Sequence, residues 1–250
     1  MFSNGIENSY RNIAYAIIDK LLCQEDWWIN NCYGITQEEK IYLALWVSHQ
    51  IVRTKSFRET VSKLHEALAK TITEFTNNGI PDDEKIEVVA RTDKKAKKAM
   101  HADMIVNSKT ITHFAEVLFN HSWIIAINKS SIPFVSSDNP VSTIPHENKP
   151  NINCSGLASR KVEVFFPISP YVGIMMFEKE WHFENLDRRC IIMNDPEEVK
   201  QYNIVTLCNS YRIIISNYPN LSFYQEYTRK HPDICTKNIS LFIAGKTFRF

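Results

Sequence analysis

The stretch Trp123–Val141, WIIAINKSSIPFVSSDNPV, decides how this chain is read. Trp123, Ile124, Ile125 and Ile127 form an apolar run with the character of a buried strand. Ser130-Ser131 breaks it, and Ile132, Phe134 and Val135 start a second short run. That run ends in the polar cluster Ser136, Ser137, Asp138, Asn139 and Pro140. Asp and Asn side chains before a proline bond backbone N–H groups two residues on, and the proline fixes the next φ. The cluster is therefore a turn lock, or a site at a strand end, and the residues alone leave both readings open.

On the C-terminal side, β patterning continues. Strands are predicted at 122–128, 132–137, 162–168 and 171–178, with RIIIS (212–216) as a buried strand and 240–250 as a last one. Pro145 to Arg160 is polar and reads as a connection or a lid. Asp195 followed by Pro196 starts a helix that runs to about Ser210, and 223–230 makes another. On the N-terminal side the period is helical. Residues 6–23 carry Ile6, Tyr10, Ile13, Ile17 and Leu21 on one face. Thr36 and Glu39 form a capping box ahead of a helix through Val52, and Ser56 with Glu59 repeats that pattern. The next helix places Val61, Leu64, Leu68, Ile72 and Phe75 on its apolar face and ends at Gly79. Residues 96–120 read as one helix. The expectation is a single α+β domain over 1–250: a helical part, 1–121, packed on a mainly antiparallel sheet from 122–250, with Trp123–Val141 at the sheet's centre.

Composition removes several classes of function. With 6 glycines in 250 residues, Gly-rich phosphate loops are nearly excluded, and neither a dinucleotide fingerprint nor a P-loop occurs. The net charge of +1 argues against nucleic-acid binding along the whole surface. One local basic run, Arg91 to Lys98, is either a solvated face or a phosphate-contacting patch. Cys23, Cys32, Cys154, Cys190, Cys208 and Cys235 contain no CxxC pair and read as free thiols in the cytoplasm. The eight histidines show no metal-ligand spacing, so no metal is expected. No apolar run suits a membrane span, and no signal peptide pattern occurs. The sequence names no cofactor and sets no oligomeric state.

Four sets of residues carry candidate chemistry. Asp138 and Asn139 would act at the strand end. Gln50 and Arg53 share a helical face, and Arg53 and Arg58 flank the joint between two helices, where a guanidinium clamps carboxylate or phosphate. The N-terminus of the second helix would add an anion-favouring dipole there. His101 is a candidate general base. Asn203, with Tyr202, sits among apolar residues on the late helix and needs partners if it faces inward.

Taken in order, Ile6-Glu7, SHQIVRTKSFR (48–58), WIIAINKSSIPFVSSDNPV (123–141), FFPISP (165–170), and VKQYN (199–203) with YRIIIS (211–216) resemble a bacterial family known as domain of unknown function 4238. The matching positions are Glu7, Gln50, Arg53, Arg58, Asp138, Asn139 and Asn203. That family's additional N-terminal segment with a HYVP-like motif has no counterpart here, so the resemblance implies an N-terminally truncated member. It implies no reaction, and enzymatic activity stays open. The first hypothesis is a polar pocket for a small anionic ligand or a phosphodiester, built from Arg53, Arg58, Asp138 and Asn139. The second is a non-enzymatic interaction module, in a defence or toxin-like setting, whose polar motifs are turn and cap locks.

Overall fold

The structure is a computed structural model that describes residues 2–23, 33–78, 80–81, 85–86, 94–147, 156–217, 219, 221–232, 240–243 and 246–249. Five helices come first: α1 (Phe2–Cys23), α2 (Gln37–Val52), α3 (Lys55–Thr76), α4 (Lys94–Val106) and α5 (Ser108–Phe119). Then follow β1 (Ser122–Asn128), β2 (Ser136–Ser137), β3 (Ser142–Pro145), β4 (Val162–Pro167), β5 (Val172–Phe177) and β6 (Arg189–Met193). The chain continues through α6 (Pro196–Asn209), β7 (Ile213–Ser216), α7 (Ser222–Lys230), β8 (Ser240–Ile243) and β9 (Lys246–Arg249). The N-terminal helices pack on a largely antiparallel sheet, an α+β architecture.

Strand β1 explains the layering. All seven of its residues are buried, because both faces of the sheet are covered. Trp123, Ile125 and Ile127 point to one face and join Val164, Phe166, Ile174 and Met176. Helices α1, α2 and α5 cover that face with Ile17, Leu21, Leu43, Ala44, Val47, Ala115 and Leu118. Ile124 and Ala126 point the other way, onto Phe134, Phe165, Met175, Phe177 and Val199 of α6. A strand buried on both faces loses polar alternation, as the sequence of β1 does.

The sheet order is β3-β4-β5-β1-β6. Its pairs are antiparallel except β1 with β6, which run parallel. Strand β1 is thus interior but one place from the edge, rather than central. The predicted strand-turn-strand also divides. β2 leaves the first sheet and opens a second, β2-β7-β8-β9, in which Val135, Leu207, Ile214, Leu221 and Tyr224 form a third apolar cluster with α6 and α7. The last predicted strand is two strands, β8 and β9, paired antiparallel.

Other differences have local causes. The expected helix 96–120 is broken at Asn107, whose side chain accepts the Lys109 N–H at 3.0 Å and so caps α5. Such a side chain offers the backbone an alternative to helical bonding. Helix α3 is capped by Thr54 rather than Ser56: its Oγ1 accepts the Phe57 N–H at 3.0 Å. The α3 stripe expected in the core is outside it, with Leu64, Leu68, Ile72 and Phe75 exposed and Ser62 and Ala69 buried instead. Strand β6 was not predicted. Gly34 lets the loop before α2 approach it: its N–H donates to Arg188 O at 2.7 Å, and a Cβ there would collide with Cys190 Sγ. The cap expected at Gly79 and much of the 145–160 connection fall outside the described residues.

Candidate functional site

The α2–α3 joint is built from backbone that is already satisfied. Thr54 is buried; its Oγ1 also donates to Ile51 O at 2.9 Å. His101, from α4, is buried against the same joint, and its Nε2–H donates to Val52 O at 2.7 Å. So His101 satisfies a carbonyl at the end of α2. Gln50 is buried in α2, and Arg53 is its exposed C-cap residue.

Arg58 lies one turn into α3 and lines a groove of about 520 Å³ with Lys55, Glu59, Ser62, Lys63, Glu66 and Lys98. Four cations meet two carboxylates there. Glu59 is occupied, by Tyr211 Oη–H at 2.8 Å and by Lys55 at 3.7 Å. Arg58, Lys63 and Lys98 have no ion-pair partner among the described residues. Two features that stood apart in the sequence meet here: the arginine at the joint, and the last residue of the basic run Arg91–Lys98. The first turn of α3 holds Lys55 and Arg58 and no acid. Its dipole disfavours cations at that end, so this turn is built against its own helix and suits an outside anion.

Asp138 and Asn139 stand elsewhere. Asp138 Oδ1 accepts the N–H groups of Tyr211 at 2.9 Å and Arg212 at 3.2 Å. Asn139 Nδ2 donates to Asn209 O at 2.9 Å, and Asn209 Nδ2 donates back to Asn139 O at 3.3 Å and Val141 O at 2.8 Å. The cluster fastens the end of α6 to the start of β7. It touches the groove through one residue: Tyr211, held by Asp138 at its N–H, reaches Glu59 with its hydroxyl and lies under Lys55 Nζ, 4.6 Å from the ring centroid. Asn203 is fully buried. Its Oδ1 accepts Val135 N–H at 2.9 Å, and its Nδ2 donates to Pro133 O at 2.9 Å and Tyr224 Oη at 2.7 Å. Burial pushes the Tyr224 phenol up to about 12, so it stays protonated. Glu7 lies on α1, and its side chain is outside what the structure describes.

The structure also assembles a set that sequence reasoning missed. Glu163, on β4, is buried. Its Oε2 accepts His146 Nε2–H at 2.9 Å, and its Oε1 accepts Tyr202 Oη–H at 2.7 Å. Burial first, then the charge of Glu163, raises the Tyr202 phenol far above its ordinary value, which keeps it a donor. The signal available was Glu163 within Val162–Pro167, a charge in an otherwise apolar strand. Alternation would have placed it toward solvent.

No group of three or more His, Cys, Asp or Glu side chains placed to hold a metal occurs among the described residues. Nor, among them, is any helix long and apolar enough to cross a membrane. The fold and groove define an α+β protein with a cationic cleft on its helical layer. The family model described as Protein of unknown function (DUF4238) matches residues 1–219, and the chain belongs to that family. Neither the curated proteins nor the solved structures yield a match.

Proposed function

We propose that the groove between α3 and α4 binds a small phosphate-bearing anion, a nucleotide-sized ligand or a phosphodiester end, through Arg58, Lys63 and Lys98. The observation that supports this is three cations without ionic partners around one groove at a helix start that lacks acids. Arg58 supplies a planar, two-pronged contact, and the lysines add point charges. The volume, about 520 Å³, is that of a small-molecule cleft rather than a nucleic-acid track. The free thiols Cys23 and Cys190 suit a cytoplasmic protein. Titration calorimetry with pyrophosphate tests the reading. Wild type binds at 50 mM salt, and affinity falls at least ~10-fold at 300 mM as the charges are screened. Arg58→Ala weakens binding ~10-fold or more without lowering the melting temperature. Absent binding at low salt, or equal binding by Arg58→Ala, would remove it.

A second reading, a non-enzymatic interaction module, is favoured by a different observation. Leu64, Leu68, Ile72 and Phe75 make an exposed apolar line on α3. Light scattering of wild type and Leu68→Asp distinguishes a self-associating surface from a bare one. A monomeric wild type would count against self-association.

A further inference from the structure

We propose that His146, Glu163 and Tyr202 form a proton-transfer site in which His146 activates water against an uncharged carboxylic ester. The sheet register builds it. Ile144 pairs with Glu163, and Glu163 pairs with Phe177. His146, two residues past Ile144, therefore continues the same face of the sheet. Helix α6 brings Tyr202 onto that face, its ring centroid 4.5 Å from that of Phe165.

The three groups divide the work. Glu163 is 6% exposed, and a carboxylate so buried is costly unless both oxygens are bonded, as they are here. Tyr202 fixes one oxygen. The other holds His146 Nε2–H and so sets the tautomer, leaving Nδ1 as the acceptor. His146 is 37% exposed, and its Nδ1 makes no hydrogen bond among the described residues. A carboxylate that orients an imidazole whose second nitrogen is unoccupied is the arrangement of a general base.

Surrounding groups point to the substrate class. Trp181 packs edge-on against the His146 ring, with centroids 4.8 Å apart, and Phe177 and Phe183 lie against Trp181. Trp181 Nε1–H is buried and has no hydrogen-bond partner among the described residues, so an ester carbonyl oxygen would satisfy it. Glu147 and Glu180 stand at the rim, bridged by Arg160 at 3.3 and 3.5 Å. Two carboxylates and an aromatic wall disfavour phosphate and suit a neutral acyl group. In the reaction, His146 Nδ1 takes a proton from water while the water oxygen bonds to the carbonyl carbon. The tetrahedral intermediate then breaks its C–O bond to the leaving group, and that oxygen takes the proton back from Nδ1. Ester and water become acid and alcohol, with the imidazole restored.

The test uses the full chain with p-nitrophenyl acetate and p-nitrophenyl phosphate. Wild type hydrolyses the acetate and not the phosphate. His146→Ala lowers kcat/KM ~100-fold, and Glu163→Gln and Trp181→Phe lower it ~10-fold. Added imidazole restores rate to His146→Ala and not to Glu163→Gln, a readout that a structural role would not move. If His146→Ala melts early, His146→Gln replaces it. Acetate hydrolysis that His146→Ala leaves unchanged, or a wild-type rate no faster than buffer, overturns the proposal. Turnover of the phosphate alone overturns its substrate class.

Discussion

Two helix starts in this protein face opposite ways. The start of α2 is closed within the fold. Thr36 accepts the Glu39 N–H, Glu39 accepts the Thr36 N–H, and Glu38 and Glu39 suit the helix dipole. Its other charges are consumed as well. Glu39 holds Lys20, and buried Lys40 donates to His121 O at 2.9 Å and Asp187 Oδ1 at 2.7 Å. The start of α3 has only the hydroxyl cap of Thr54, followed by Lys55 and Arg58. Arg58 and nearby Lys63 have no ion pair among the described residues. The first start is explained by folding alone. At the second, Glu59 and Tyr211 hold Lys55, but Arg58 has no ion pair among the described residues, and the proposed ligand would use that charge.

The largest effect should come from breaking the closed side. Lys40→Ala removes the charged hydrogen bond to Asp187, which keeps Arg188 at 3.6 Å and the Trp123 N–H at 2.7 Å, and takes a donor from the buried His121 carbonyl, so it costs about 2 kcal/mol by urea melting. Thr36→Ala removes the cap of α2 and costs about 1 kcal/mol in the same assay. On the open side the sign reverses. Arg58→Glu stabilises by about 0.5 kcal/mol, because an acid replaces a cation at a helix start, and it abolishes pyrophosphate binding. A loss of stability in Arg58→Glu would mean that α3 starts like α2.

The smallest effect concerns pH. His121, whose backbone carbonyl anchors Lys40, is buried, and that burial lowers its pKa below the ordinary imidazole value. Between its lowered folded value and about 6.5 the unfolded chain binds more protons, so stability rises with pH through that window and falls toward acid. His121→Gln should flatten the drop between pH 7 and pH 5 in thermal melts. An unchanged slope would place the acid sensitivity elsewhere.

Much of the closed side was legible in the sequence because its signals are local. The capping box at Thr36 and Glu39, the Asp195-Pro196 start of α6, and the apolar β1 run each specify their own structure within a few residues. The turn bonding expected of Asp138 and Asn139 is made by Ser137 instead, whose Oγ accepts the Asn139 N–H at 3.1 Å, while the Asp138 and Asn139 side chains reach Tyr211, Arg212 and Asn209 some seventy residues on. What depends on distant partners was less legible. Periodicity gave α3 an apolar face but not what would cover it, and Leu64, Leu68, Ile72 and Phe75 are exposed. Strand β6 has no alternation to find, since Arg189, Ile191 and Ile192 are exposed on a parallel edge. The meeting of Arg58 with Lys98, forty residues later, and of Glu163 with His146 and Tyr202, is made by topology.

The most direct measurement of the central claim is an amide chemical-shift titration of the ¹⁵N-labelled protein with pyrophosphate at low salt. The account predicts shifts concentrated in Lys55–Glu66 and around Lys98, with Thr36–Lys40 unmoved, and their loss in Arg58→Ala. Shifts spread evenly over surface lysines, or absent from the first turns of α3, would contradict it.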